Sequence, residues 1–173
     1  MTDVIRNAAT AAHSALNAVL LASMLVASSP SMAQTCAAPA VWPAINVPTP
    51  MTTCGGEHVA DSFCGGNFQN PGPNYVVRFR LDHNATQIML TGADGGFDPV
   101  MYLSDAAHSC DSGECLAAGS QGAPINLAGL PSGEYWLTVA ANDQDEPGAC
   151  GSFVLTADGD LSGDDFIFAD GFD

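Results

Sequence analysis

YVVRFRL, the stretch from Tyr75 to Leu81, alternates its side chains as a half-buried strand does. Its odd-numbered positions are apolar and predicted to face a core, whereas both of its arginines are predicted to face water. Further strands are predicted over residues 87–92, 100–104, 125–130, 135–141 and 153–157. Turn residues bound them, such as Pro131-Ser132-Gly133, and no helical period of useful length follows the N-terminal region. Short strands at regular spacing predict an antiparallel β-sandwich or barrel.

The N-terminus has the features of an export signal. An apolar run over residues 18–27 is shorter than the roughly 20 residues that a membrane span needs. Ser31-Met32-Ala33 follows, a small-x-small ending that suits signal peptidase. The sequence therefore predicts a signal peptide over 1–33 and a protein of the periplasm or the medium. A buried helix or a permanent anchor is the alternative interpretation of the run.

The rest of the chain divides by composition into three parts. Residues 34–73 are rich in Pro and Gly, which predicts an extended arm with one edge strand near 41–47, packed on the domain. Residues 74–157 hold the alternating strands. Residues 158–173 form an acidic and aromatic tail.

The charge balance restricts the partners. The chain has 19 acidic residues against three Lys and Arg, which gives a net charge of −16. Cleavage after Ala33 would remove Asp3 and Arg6 together and leave this charge unchanged. Phosphate backbones and anionic lipid surfaces are bound mainly through Lys and Arg. We therefore expect no nucleic acid and no membrane insertion after signal cleavage, and the expected partner is an unknown protein or glycan.

All six cysteines follow Ala33. An even number in a small exported domain predicts three disulfides, and the absence of C-x-x-C pairs argues against zinc. Cys110 and Cys115 are expected to pair with each other, because Asp111-Ser112-Gly113-Glu114 can close a tight turn between them. The pairings favoured for the other four are Cys54 with Cys64 and Cys36 with Cys150.

The order of the strand phrases resembles a known family. YVVRFRL, IMLTG, FDPVMYLS, LPSGEYWLTV and GSFVLTA follow one another between Tyr75 and Ala157. This series is similar to the bacterial pre-peptidase C-terminal domain, a jelly-roll-like sandwich appended to many secreted proteins. The resemblance implies an antiparallel, disulfide-stabilised jelly-roll-like β-sandwich of about eight short strands, and it implies an accessory module. In the same family a short cystine loop follows the FDPVMYLS strand in some members, which the segment from Cys110 to Cys115 resembles.

Residues for catalysis are few. After export the histidines are His58, His83 and His108, all in predicted loops. Ser120 lies in AGSQG, which has Ala where a nucleophile elbow has its first Gly, so a glycine-rich turn explains it better. Acidic pairs for glycoside hydrolysis can be drawn from Asp94, Asp98, Glu114 and Glu134, but so acidic a chain produces such pairs by chance. No catalytic residue is predicted.

Calcium is the cofactor for which the sequence offers ligands. Hard oxygen ligands cluster in two predicted loops, Asp94 with Asp98, and Asp143 with Asp145 and Glu146. The tail reads DGDLSGD from Asp158, which matches the first half of an EF-hand loop but lacks the acid at position 12. An acidic solvated surface is the competing interpretation, under which Asp98 caps the turn into its strand.

Two aromatic features remain. Trp136 alternates out of phase with Tyr135 and Leu137, so it either forms an exposed ligand platform with Tyr102 or fills a second face beneath the arm. IFADGFD at the C-terminus resembles a terminal phrase of varied secreted Gram-negative proteins, which implies a sorting or docking signal. The alternative is an aromatic segment that packs on the sandwich or lies loose.

Together these features predict a secreted, non-catalytic accessory or binding module that recognises a protein or carbohydrate surface. The alternative is a calcium-binding structural protein of the cell surface. A small secreted hydrolase is the third hypothesis.

Overall fold

Alternation from Tyr75 to Leu81 produces the central strand of the fold with the predicted bounds. A computed structural model describes residues 35–42, 48–81, 85–94, 96–159 and 161–162. In this part of the chain the regular structure is all β. The strands are β1 (Ala40–Val41), β2 (Thr49–Thr52), β3 (Ser62–Phe63), β4 (Phe68–Gln69), β5 (Tyr75–Leu81), β6 (Gln87–Thr91), β7 (Pro99–Asp105), β8 (Ala117–Ser120), β9 (Ile125–Asn126), β10 (Gly133–Ala141), β11 (Ser152–Asp158) and β12 (Leu161–Ser162).

The strands form a sandwich with a small extra layer. Sheet A has the order β1-β5-β10-β7-β8, with β12 also paired to β5, and sheet B has the order β2-β11-β6-β9. The hairpin β3-β4 is a separate two-stranded sheet. All of the pairings are antiparallel apart from β1 with β5. The predicted all-β, antiparallel sandwich is therefore confirmed.

The main core lies between sheets A and B. Sheet A contributes Phe79 and Leu137, and sheet B contributes Ile88, Leu90 and Phe153, all at most 1% exposed. These are the in-phase positions of the alternating strands, so the apolar pattern fixes which face of each strand is buried. Fully burying a side chain of this size contributes roughly 1.5–3 kcal/mol. The core thus accounts for the alternation.

The arm joins the sandwich as two strands. β1 pairs with β5 at one edge of sheet A, and β2 pairs with β11 at one edge of sheet B. One edge strand was expected near 41–47; instead two lie at Ala40–Val41 and Thr49–Thr52, while 43–47 lie outside the described residues. Proline at position 50 fits an edge strand, since it has no N–H to donate to a second neighbour.

All six cysteines form disulfides, but all three predicted pairings are wrong. The bonds join Cys36 to Cys110, Cys54 to Cys150 and Cys64 to Cys115. Sheet register explains the second bond: Thr52 of β2 lies opposite Ser152 of β11, so two residues further on Cys54 meets Cys150, with Cα atoms 4.9 Å apart. The bonds span 74, 96 and 51 residues, and they follow the tertiary fold rather than local turns.

Two predicted segments lie outside the described residues. One is the signal peptide over 1–33, and the other is most of the acidic and aromatic tail. In the described part of the chain no helix is long and apolar enough to cross a membrane. The three disulfides are typical of a protein that matures in an oxidising, extracytoplasmic compartment.

Candidate functional site

An open depression lies beside the outer face of sheet A. One wall is the segment from His58 to Gly66, which includes β3, and the other is the loop from Asp111 to Glu114. The recess has a volume of about 740 Å³. Its polar side chains are those of His58, Asp61, Ser62, Asp111, Ser112 and Glu114. We call it the acidic depression.

Aromatic stacking holds the first wall on the sheet. Phe63 of β3 is 2% exposed and stacks on Tyr102 of β7, with ring centroids 4.3 Å apart. Phe68 of β4 meets the same Tyr102 ring at 5.7 Å. Val100 and Ala140 complete this second apolar cluster. The hairpin therefore covers part of the sheet face that points away from the main core.

A buried amide pair fixes the chain ahead of the hairpin. Asn74 Oδ1 accepts hydrogen bonds from Val59 N at 2.9 Å and from Asn70 Nδ2 at 2.9 Å. Asn74 Nδ2 in turn donates to Asn70 Oδ1 at 3.1 Å, and Asn70 Nδ2 also donates to Ala60 O at 2.6 Å. Both side chains are at most 5% exposed. Because buried amides need partners, this pair sets the course of residues 59 and 60 beside the depression.

The two walls are joined to each other covalently. The Cys64–Cys115 disulfide connects the hairpin turn to the end of the second loop. Next to it Gly65 N donates to Gly113 O at 3.2 Å. Gly113 has a φ of +71°, and a Cβ there would lie 2.8 Å from Ser62 O, so glycine is required at this close approach. Both walls are therefore fixed in the absence of any ligand.

Carboxylates dominate the charge of the depression. Asp61, Asp111 and Glu114 are all exposed. His58 Nε2 lies 3.7 Å from Asp61 Oδ1, and Ser109 Oγ donates to Asp111 Oδ1. No Lys or Arg is among the described residues that line the recess. A partner of positive or hydrogen-bond-donating character fits this lining.

A second acidic group lies at the start of the loop. Asp105 Oδ1 accepts from Ala107 N at 3.0 Å, from His108 N at 3.1 Å and from His108 Nδ1 at 2.8 Å. The His108 hydrogen bond is the main cause that lowers the pKa of Asp105 below its usual value. An Asp–His pair also orients the base in hydrolases. Here the carboxylate caps a turn of its own loop, and a structural role accounts for every bond it makes.

The predicted calcium ligands are only partly brought together. Asn142 links two of them, since its Nδ2 donates to Asp98 Oδ2 at 3.0 Å and its N donates to Asp145 Oδ2 at 3.1 Å. Asp94 Oδ2 accepts from Ser152 N at 3.0 Å, whereas Asp143 and Glu146 are exposed on the turn beyond Asn142. In the described ranges no three His, Cys, Asp or Glu side chains are grouped as metal ligands. Calcium binding stays a prediction.

Asp98 also differs from its predicted capping role. Its carboxylate accepts from the side chain of Asn142, 44 positions away, rather than from the backbone of its own turn. Asp98 N instead donates to Asp145 Oδ2 at 3.3 Å. The cap is therefore supplied by another loop, because β7 and β10 are neighbours in sheet A and their ends lie side by side.

The remaining candidates fall in separate places. Tyr102 is 3% exposed beneath Phe63, so it is not part of an exposed platform. Trp136 is half-buried, with the Arg78 guanidinium carbon 5.7 Å from its ring centroid. Ser120 ends β8 in a tight turn, where it exchanges two 2.9 Å backbone hydrogen bonds with Ala123. Glu134 lies 3.3 Å from Arg78, on a different element from Glu114. His83 lies outside the described residues.

The acidic depression is not predictable from the sequence alone. Its first wall has no strand-like alternation, and the cysteine spacing of its second wall favours a local cystine loop. Phe63, Asn70 and Asn74 are the residues that hold its first wall, and they lie among other apolar and amide residues of the Gly- and Pro-rich stretch, so no pattern distinguishes them in the sequence. No known protein family, characterised protein or solved structure matches the chain.

Proposed function

We propose that this protein is a secreted, non-catalytic accessory or binding module that recognises a protein surface through the acidic depression. The observation that carries the proposal is the fixed geometry of the two walls. A stacked aromatic pair, a buried amide pair and a cystine hold them before any partner arrives. Preorganised walls favour binding because less conformational entropy is lost when a complex forms.

The lining supports a basic protein as the partner. Asp61, Asp111 and Glu114 are exposed there, on a chain whose net charge is −16. Complementary charge speeds encounter and selects among partners. None of the described residues that line the depression is Phe, Tyr or Trp, so it lacks the large aromatic rings on which a sugar would stack. A glycan is therefore the less supported ligand.

Export and kinship with the pre-peptidase C-terminal family belong to the same proposal. Three disulfides support export, because such bonds form and persist outside the reducing cytosol. The strand phrases between Tyr75 and Ala157 support the kinship. An accessory role follows from that kinship, since the family is appended to other exported proteins.

A charge-matched pair of variants tests the binding site. The wild-type chain, purified after export, is probed on a library of basic, acidic and neutral peptides and on a glycan array. Asp111→Asn/Glu114→Gln removes two charges from the depression, and Asp143→Asn/Glu146→Gln removes two charges from an exposed turn elsewhere. We expect basic-peptide binding to weaken about tenfold or more in the first variant and little in the second. The reason is that charges at the binding surface, rather than the net charge of the chain, pair with charges of the peptide.

Three outcomes would contradict the proposal. Equal weakening in both variants would mean that net charge alone attracts the peptides. Binding confined to glycans, or no binding to either array, would remove the protein-recognition role. Turnover of peptide, ester or glycoside substrates that is lost on Ser120→Ala or on a single carboxylate substitution would make the protein an enzyme.

A further inference from the structure

The outer face of sheet A has two halves of different character. The hairpin β3-β4 covers the half around Val100, Tyr102 and Ala140. The other half carries Trp136, whose half-buried ring belongs to neither apolar cluster of the described residues. Arg78 lies over that ring, with its guanidinium carbon 5.7 Å from the centroid. A large apolar ring beside cations is typical of a surface that receives another segment.

Two of the three basic residues of the chain lie on this half. The three Lys and Arg residues are Arg6, Arg78 and Arg80, and the last two are outward positions of one strand, β5. Arg78 already lies 3.3 Å from Glu134 Oε1, so its geometry suits a carboxylate partner. On a chain with 19 acidic residues, Arg78 and Arg80 make this half less repulsive to a further acidic segment than the rest of the surface.

The last described strand brings the chain to the border of this half. Leu161 of β12 pairs with Leu81 and is 1% exposed, so it is fixed in the main core. Ser162 pairs with Arg80. The next stretch of the same edge is occupied, because β1 pairs with Val77 and Arg78 and Trp42 N donates to Arg78 O at 3.3 Å. The core side is closed by Val77 and Phe79, both 0% exposed. With these described neighbours on the edge and on the core side, the directions left beyond Ser162 are the outer face and solvent.

We propose that the outer face around Trp136 is a docking surface for residues 163–173 of this same chain. That segment reads GDDFIFADGFD, which combines carboxylates at Asp164 and Asp165 with an apolar run from Phe166 to Phe168. The acids complement Arg78 and Arg80, and the apolar run complements the Trp136 ring. Reach is sufficient, since an extended segment of this length spans up to about 36 Å and neighbouring strands lie only about 4.8 Å apart.

Trp136 fluorescence in the full chain reports the contact. The chain has two tryptophans, and the other one, Trp42, is 4% exposed in the main core. Subtracting the signal of Trp136→Phe leaves the emission of Trp136 alone. We expect Phe166→Ser/Phe168→Ser to shift this emission to longer wavelength and to raise its acrylamide quenching constant. Asp164→Asn/Asp165→Asn should do the same, whereas Asp143→Asn/Glu146→Gln should not. An unchanged Trp42 signal shows that the sandwich is intact.

A charge exchange and a dilution series complete the test. Arg80→Glu should raise quenching of Trp136, and adding Asp164→Arg/Asp165→Arg to it should restore protection. Quenching that is unchanged in Phe166→Ser/Phe168→Ser would overturn the proposal. Protection that disappears on dilution, together with a dimer in sedimentation analysis, would overturn it in favour of a second copy as the occupant.

Discussion

At the scale of single residues, Asp105 organises the loop behind the acidic depression. Its Oδ1 accepts hydrogen bonds from two backbone N–H groups and from the His108 ring nitrogen, with every donor nitrogen within 3.1 Å of that oxygen. An oxygen that ends a strand in this way fixes the first turn of the loop. The loop must be held at this end because Cys110 and Cys115 both lie further along it, in bonds to different parts of the chain.

Loss of the hydrogen bond between His108 and Asp105 should change the pKa of Asp105. The His108 hydrogen bond is the leading cause of the lowered pKa of Asp105. A carboxyl whose pKa is lower in the folded protein stabilises the fold above its unfolded pKa of about 3.9, and this contribution is lost as pH falls through the folded pKa. NMR titration should show the pKa of Asp105 rising toward its ordinary value in His108→Ala. An unaltered titration midpoint in His108→Ala would disprove the assignment.

Tyr102 shows a different residue-scale conflict, between packing and polarity. Its ring stacks on Phe63, yet its hydroxyl is buried and makes no hydrogen bond within the described structure. Burial, followed by the charge of Asp143, raises the pKa of Tyr102 well above its usual range. The ring therefore stabilises this cluster and the hydroxyl does not.

Tyr102→Phe should accordingly be neutral or stabilising by up to about 1 kcal/mol, because no hydrogen bond is lost. Tyr102→Ala should cost about 3–5 kcal/mol, since it removes a buried ring. Above pH 10 the unfolded tyrosine loses its proton while the folded one keeps it, so stability falls with rising pH. Urea unfolding at pH 7 and pH 10.5 should show a smaller alkaline loss in Tyr102→Phe. An equal loss in both proteins would contradict this account.

At the scale of elements, close contacts at strand ends set how the loops pack. Gly151 directly precedes β11, where its N–H donates to Thr53 Oγ1 at 3.2 Å and its carbonyl accepts from Thr53 N at 3.1 Å. A Cβ on Gly151 would lie 2.7 Å from three atoms of the Phe97 side chain. A Cβ on Gly133, which begins β10, would meet no atom within 4 Å. The two glycines thus form a matched pair of strand starts.

Gly151→Ala should destabilise the fold by about 1–3 kcal/mol, because the added methyl overpacks a buried ring. Gly133→Ala should change stability little or raise it by about 0.4–1 kcal/mol, since alanine restricts the unfolded chain without a clash. Chemical unfolding of both variants measures the difference. Similar free energies of unfolding for the two would show that Phe97 moves aside without cost.

Elements with a clear pattern were predictable from the sequence, and those without one were not. β5 begins and ends where its alternation does, and the predicted strands over 100–104 and 153–157 lie inside β7 and β11. β8 has the sequence AAGS, which carries no alternation, and it forms because β7 offers a free edge. The β3-β4 hairpin likewise depends on contacts with Tyr102, which cannot be inferred from the sequence of the hairpin itself.

At the scale of the whole molecule, the disulfide pairing and the candidate site were also not predictable from local sequence patterns. Local spacing favoured Cys110 with Cys115, yet Cys115 bonds Cys64 across 51 residues and Cys110 bonds Cys36 across 74. Cys110 and Cys115 do not pair with each other, because Cys110 joins the loop to the arm at Cys36 and Cys115 joins it to the hairpin at Cys64. The acidic depression lies between the segment from His58 to Gly66 and the loop from Asp111 to Glu114, so its residues come together only once the tertiary fold has formed.

Cleaving the Cys64–Cys115 bond should therefore affect the whole fold and the depression together. Chain entropy predicts that a cross-link over 51 residues stabilises the folded state by about 4 kcal/mol, and native disulfides typically contribute about 2–5 kcal/mol. Cys64→Ala/Cys115→Ala should lose stability in that range and become open to proteolysis between residues 58 and 66. Cys54→Ala/Cys150→Ala should lose as much stability but keep residues 58–66 protected, because the stacking of Phe63 and the Cys64–Cys115 bond both remain. Equal protease sensitivity in both variants, or a non-reduced peptide map that links Cys110 to Cys115, would refute this arrangement of the walls.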